Sequence, residues 1–217
     1  MSSTQDSALE SRTTPVQQRG HARVDALLDA AAEIVEASGI AAMTTSAIAE
    51  RSGSSVGVVY RYFPNADAVL IALAERNRER YSAGIAEALQ ERPPEDWTAF
   101  AGLCVDTYAA LAVSVPAFRV IRFGDVVAMR FAHRESSNNE WFALRLDSIL
   151  VERYGFAATD DLAFATAIAL ECADAVTRRA FLRSRDADPR FIDAAKQIIV
   201  GIIAPHAPDA AARGATP

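Results

Sequence analysis

Between Thr44 and Phe63 the chain gathers hydrogen-bonding groups that suit phosphates and base edges: the hydroxyls of Thr44, Thr45, Ser55, Tyr60 and Tyr62, and the guanidinium of Arg61. Tyrosine hydroxyls bond phosphate oxygens and set register without reading sequence. A guanidinium donates a fork of hydrogen bonds to guanine or grips a phosphate. Gly57 lets a backbone come close to a duplex, and Val58 is placed to touch a thymine methyl.

These groups need a frame, and their spacing predicts two short helices. Thr44 or Thr45 caps the first, because either hydroxyl accepts from a free first-turn amide. Ile48 with Ala47 and Ala49 forms its small apolar face, and Ser52-Gly53 stops it, Gly53 being suited to the left-handed C-terminal cap. Ser55 (or Ser54) caps the second helix, which runs from Val56 to about Tyr62. Val59 and Phe63, four apart, share a buried face, while Gly57, Val58 and Arg61 share the opposite one. Such a pair lays its second helix in a major groove. The same pattern also suits a plain helical hairpin with tyrosines at its rim. Arg12, Arg19, His21 and Arg23 form a loosely basic entry to the preceding helix, read either as an arm on the DNA backbone or as a solvated tail.

From about Arg23 to Arg76 the order of residues resembles the DNA-binding domain of the tetracycline-repressor (TetR) family. The matching pieces are Leu27-Leu28-Asp29-Ala30-Ala31, Ser38-Gly39, Thr44-Thr45-Ser46-Ala47-Ile48-Ala49, Ser52-Gly53, Gly57 and Tyr60-Arg61-Tyr62-Phe63-Pro64-Asn65. The resemblance implies DNA contacts by Arg23, Thr44, Thr45, Ser55, Val56, Gly57, Val58, Tyr60, Arg61 and Tyr62. The chain departs from the family where Val56 and Ala66 replace frequent lysines and where Ser54 replaces an apolar residue, so weaker non-specific binding is expected.

Net charge is −6, which does not advertise a nucleic-acid binder; the first 65 residues hold five arginines against seven carboxylates, leaving −2 there and −4 beyond. Lys196 is the one lysine. No apolar run approaches the roughly 20 residues of a membrane span, and residues 1–20 lack a signal-peptide core, so a cytoplasmic protein is expected. Cys104 and Cys172 sit in apolar helical patterns and are expected buried and unpaired. His21, His133 and His206 show no metal-ligand spacing, and no nucleophile–base–orienter set stands out. Neither an enzyme nor a cofactor is expected.

The fold class expected is all-α, with about nine to ten helices. An N-terminal arm, 1–20, precedes a helix-turn-helix domain, 21–66. A ligand-binding and dimerisation domain follows, 67–204, then a disordered tail, 205–217. Apolar spacing and Pro/Gly breaks predict helices at 24–38, 66–91, 95–113, 117–123, 125–134, 138–154, 160–184 and 189–204 besides the short pair. Ala165, Ala169, Ala173, Val176 and Ala180 keep one side of the penultimate helix small, and Ile192, Ala195, Ile198, Ile199 and Ile202 make the last helix broadly apolar. Both faces are read as a homodimer interface through 160–184 and 189–204, which the resemblance implies is a four-helix bundle.

The resemblance also implies an unidentified small-molecule effector in the C-terminal domain and release of a palindromic double-stranded operator, with repression as the default outcome. Candidates to line an apolar or aromatic site are Phe100, Leu103, Tyr108, Phe118, Arg122, Phe123, Trp141, Phe142, Phe164, Ile168 and Glu171. Glu171, in register with Phe164 and Ile168, is expected to point inward, toward a ligand, or else to pair with an arginine such as Arg122 or Arg145 or to lie exposed at a dimer rim. A ligand-binding helical protein of the same fold without operator binding is the alternative.

Overall fold

Caps and breakers in the sequence delimit the helices. The computed structural model of the protein describes residues 14–121, 138–182 and 186–208, and of residues 14–18 and 138–141 the backbone alone. The described helices are α1 (Thr14–Ser38), α2 (Thr45–Arg51), α3 (Val56–Tyr62), α4 (Ala66–Glu91), α5 (Trp97–Ser114), α6 (Asn138–Tyr154), α7 (Asp160–Ala180) and α8 (Pro189–Ile203). Short 3-10 turns cover Ile40–Ala42 and Ala204–His206, and no strand occurs among the described residues. The chain divides into two compact units, Met1–Glu75 and Arg76–Pro217, so the boundary falls inside α4 rather than at 66/67. The first turns of α4 bury Val69, Leu70, Leu73 and Ala74, which count with the first unit.

Several bounds differ from those expected. α1 begins at Thr14 rather than 24, so residues 14–20, assigned to the arm, are helical. Pro15 is tolerated there because a first-turn residue has no intrahelical partner for its missing N–H. α7 stops at Ala180 rather than 184, because the Asp188 amide donates to the Ala180 carbonyl at 3.0 Å and turns the chain back. Residues 115–121 form successive turns instead of the start of a helix at 117. Ala117 there takes the left-handed region (φ 60), and its carbonyl accepts from both Val120 and Ile121. The helix expected at 125–134 lies outside the described residues. Where a disordered tail was expected from 205, Ala204–His206 form a 3-10 turn and Ala207 packs against the core of the second unit; residues 209–217 lie outside the described residues.

In the first unit, Leu27, Ala31 and Val35 line one face of α1, and Ile48, Val59 and Phe63 are buried with them. Each large apolar side chain contributes about 1.5–3 kcal/mol relative to exposure. The second unit is built on Phe100, Leu146, Leu150, Leu162, Ala169, Ile192, Ile199 and Ile203 from α5 to α8. The Trp97 and Phe156 rings meet edge to face at 5.6 Å. α5 has the length and apolarity of a membrane span, contrary to the sequence reading, yet Trp97, Phe100, Ala101, Val105 and Ala112 are buried within the unit. α5 begins on Asp96, whose carboxylate accepts from the Thr98 and Ala99 amides at 2.8 Å.

The small side of α7 faces inward. Ala165, Ala169, Ala173 and Ala180 are buried in the unit's own core, as are Ile192, Ala195 and Ile199 of α8. Alanines let α8 of the same chain approach closely, and α7 with α8 is the most extensive pairing among the described elements. Most of the surface expected to meet a second copy is therefore covered within one chain, while Val176, Ile198 and Ile202 stay half-buried. What α7 presents outward is the row Phe164 (70 % exposed), Ile168 (40 %), Glu171, Cys172 and Ala175. The register assigned to Glu171 holds while its direction is reversed: the carboxylate faces out. Cys172, expected buried, is exposed, and Cys104 is half-buried; both are free thiols.

Candidate nucleic-acid interface and interior cavity

The short helices form where their caps permit. Thr44, with extended backbone, accepts from the Ala47 amide at 3.1 Å and opens α2. Gly53, at φ +64, lets the chain reverse after Ser52, a conformation that would strain any side chain larger than hydrogen. Ser55 then accepts from the Val58 amide at 3.3 Å and opens α3. Ile48 and Val59 are fully buried, which locks the two helices by their inner faces. Asn65 caps α4 through Oδ1, accepting from the Ala68 amide at 2.8 Å.

This arrangement leaves a continuous polar outer face. Thr45 Oγ1 donates to the Tyr60 hydroxyl at 3.4 Å, a long bond that places the two hydroxyls side by side across the turn. Tyr60 is 54 % exposed, and Val56, Gly57, Arg61 and Tyr62 are exposed beside it. Val58 is half-buried, Thr44 and Ser55 are exposed as caps, and Arg23 is exposed on α1. Arg51 is tied to Glu33 of α1 at 3.3 Å, a half-exposed pair of small energetic weight. Arg61 has no ion pair among the described residues, so the cation on the outer face of α3 is available. The Ser54 hydroxyl is buried without a hydrogen-bond partner, which gives a physical reason for an apolar residue to be usual there in the resembling family.

The second unit contains a partly open cavity of about 140 Å³. α4 contributes Tyr81, Ser82, Ile85, Ala86 and Leu89, and α5 contributes Phe100, Ala101 and Cys104. Phe142, Arg145, Leu146 and Ile149 of α6, Leu170 of α7 and Ile199 of α8 are the other described residues of the wall. A smaller chamber of about 70 Å³ shares Tyr81, Cys104, Leu170 and Ile199 and adds Val105, Tyr108, Ala173, Asp174 and Thr177. Tyr81 stands at the shared wall, its hydroxyl donating to the Cys104 carbonyl at 3.1 Å and its ring edge-on to Phe142 at 5.0 Å. Burial pushes the Cys104 thiol up to about 12, against a small opposing effect of the Tyr81 hydroxyl, so it is neutral and inert near pH 7. Burial likewise raises Tyr81 well above the ordinary phenol value.

Of the expected lining residues, Phe100 and Phe142 border the larger chamber and Tyr108 the smaller. Leu103 packs against the main core, and Phe118 is buried with Ala112 in a separate cluster, its ring 5.5 Å from that of Tyr108. Phe164, Ile168 and Glu171 lie on the outward row of α7 and border neither chamber. Arg122 and Phe123, the Trp141 side chain and His133 lie outside the described residues. Sequence reasoning missed the α4 wall. Its sign was the row Tyr81, Ile85, Leu89 at four-residue spacing, continuing an apolar face beyond the first unit. Among the described residues no group of His, Cys, Asp and Glu could hold a metal ion.

Two family profiles match the chain: "Bacterial regulatory proteins, tetR family" over residues 27–73, and "Tetracyclin repressor-like, C-terminal domain" over residues 95–207. No curated protein matches it in sequence. Among solved structures it is similar to a TetR-family transcriptional regulator from Streptomyces coelicolor, at 30 % identity and TM-score 0.71, covering 85 % of this chain and 99 % of that one. The fold is shared with the regulator FadR from Bacillus subtilis in complex with stearoyl-CoA, at 17 % identity, TM-score 0.62 and coverage of 82 % and 97 %. It is also shared with AibR in complex with isovaleryl coenzyme A and operator DNA, at 15 % identity, TM-score 0.54 and coverage of 81 % and 97 %.

Proposed function

The chain belongs to the TetR family of bacterial transcriptional regulators, DNA-binding proteins rather than enzymes, and from that premise we propose that it is a cytoplasmic, dimeric repressor released from a palindromic operator by a small, apolar or aromatic effector. The observation that carries the DNA-binding part is the outer face of the α2–α3 pair, where Thr45, Tyr60, Arg61 and Tyr62 stand together, with Thr44 and Ser55 as caps beside them. Tyr60 and Tyr62 hold phosphates, Arg61 reads or grips, and Gly57 and Val58 let the helix lie close to base edges. Arg23 supplies a further phosphate contact from α1.

One seven-residue helix reads few bases, and a second copy doubles the contact on a two-fold site. The outward row of α7, with Phe164 70 % exposed, supports a dimer face on α7 and α8 that uses Phe164, Ile168 and Ala175 in place of the alanine row first expected. The effector occupies the cavity of the second unit. α4 follows α3 directly and supplies Tyr81, Ile85 and Leu89 to the cavity wall, so a ligand that favours one packing of that wall biases the position of α3. The recognition helices of a dimer must stand about 34–36 Å apart to enter successive major grooves. A ligand with higher affinity for the mismatched spacing releases DNA in proportion to that difference.

The test is a salt series on promoter DNA from beside the protein's own gene. Preference for one palindrome, with affinity falling steeply as salt rises, supports the reading. Equal, weak binding to all sequences leaves a ligand-binding protein of this fold without an operator.

A further inference from the structure

We propose that the larger cavity takes a compact organic acid: an apolar body of about one ring inside, and a carboxylate at the mouth held by Arg145 and Ser82. The inference rests on the reading of this cavity as the effector site and specifies the chemistry that site accepts.

Size sets the body. The chamber measures about 140 Å³ and is walled by Ile85, Phe100, Leu146, Ile149, Leu170 and Ile199. An engineered cavity of about 150 Å³ with similar walls stays dry and admits benzene. A single ring, or a branched chain of similar bulk, fills the space.

Polarity sets the head. Among the described residues, the polar side chains in the wall are Tyr81, Ser82, Cys104 and Arg145. Tyr81 already donates to the Cys104 carbonyl, and the Cys104 thiol is neutral, so among the described residues the interior offers no cation to pair with a buried charge. An unpaired carboxylate there would carry a prohibitive desolvation cost. Arg145 and Ala86 are exposed while the other named walls are buried or half-buried, which marks the mouth. Among the described residues, Arg145 and Ser82 make no ion pair or hydrogen bond within the protein. A guanidinium is a donor only, and a hydroxyl has a donor to give. A planar, acceptor-only carboxylate matches the guanidinium fork with both oxygens and keeps a further lone pair to accept from the Ser82 hydroxyl. Among the described residues the wall holds no carboxylate, so an ammonium head finds no counter-charge there.

Calorimetric titration of the full chain with phenylacetate, benzyl alcohol and benzylamine, which share one ring, tests this. Phenylacetate should bind about ten-fold more tightly than benzyl alcohol, as expected for one charge-assisted contact near solvent, and benzylamine more weakly still. Arg145→Gln should erase the preference for the acid while leaving benzyl alcohol unchanged, and Arg145→Glu should transfer the preference to benzylamine. Because Arg145 is exposed, unchanged helicity and urea midpoint will show that both variants fold. Equal binding of the three probes, retention of the acid preference in Arg145→Gln, or no binding of any probe overturns the proposal. Running the same titrations against operator-bound protein separates the two levels. Release by benzyl alcohol as readily as by phenylacetate removes only the acid site. Arg145-dependent acid binding with no change in operator affinity keeps the site and removes its role as effector site.

Discussion

Ser55 allows helix stability and duplex binding to be separated at one position. α3 is only seven residues long, and its first amides have no intrahelical partners; Ser55 Oγ satisfies that of Val58 at 3.3 Å. Ser55→Ala removes that bond and should lower unfolding free energy by about 1 kcal/mol in a urea titration. If an ordered α3 is what binds DNA, operator affinity falls by no more than the same free energy, about five-fold. Ser55→Asp behaves differently. A carboxylate caps as well as a hydroxyl and favours the positive end of the helix, so stability is kept or raised. The same charge then stands at the N-terminus of the helix proposed to enter the groove, where phosphates repel it. Operator affinity should fall more than ten-fold, most at low salt. Gel shifts at two salt concentrations beside the urea data are sufficient. Native affinity in Ser55→Asp, or affinity losses that follow stability in both variants, would refute the placement of this helix end against DNA.

Further outcomes are expected. Ser54→Ala deletes a buried hydroxyl without a partner and should raise stability by about 1 kcal/mol in the same titration. Gly84→Ala sets a Cβ 3.0 Å from Thr107 Cγ2, so crowding between α4 and α5 outweighs the roughly 1 kcal/mol gained from helix propensity, and the urea midpoint falls; adding Thr107→Ser, which removes that methyl, should restore it. Iodoacetamide at pH 8 should label Cys172 alone in the folded Phe164→Glu monomer, where no second copy covers the outward row of α7, since Cys104, held up to about 12 by burial, is protonated; mass spectrometry should find the second adduct only after unfolding. Phe164→Glu should yield monomers by light scattering and abolish operator binding without loss of helicity, because its side chain is 70 % exposed in the single chain.

Caps, breakers and four-residue apolar spacing made much of the fold legible. Thr44, Gly53, Ser55 and Asn65 act locally, and the helix bounds they set, down to α4 at Ala66–Glu91, are those their chemistry dictates. The outer face of α3 was legible for the same reason, because Val59 and Phe63 define its inner face. Direction in α7 was not. Its alanine row and its Phe164–Ile168–Ala175 row both recur at helical spacing, and only the approach of α8 decides which is covered. Phe118 and Phe164, large aromatics that suit a cavity wall by type, are core and exposed respectively. The wall in fact draws on five helices, with aliphatic side chains and Tyr81 supplying much of it, and no local rule reports where five helices fail to meet.

Tyr81 stands between two chambers, and that position turns chain length into a threshold. Each added methylene that still fits the first chamber should tighten binding by about 0.8 kcal/mol. The next one meets the phenol ring. To go further it must swing the ring off Phe142 and break the bond to the Cys104 carbonyl, leaving a buried hydroxyl orphaned at a cost of about 1–3 kcal/mol. A homologous series would therefore rise, drop at one step and recover only when the tail reaches the room beside Tyr108 and Thr177. With the proposed effector in the first chamber, one aromatic side chain in this position would act as a ruler with a single mark.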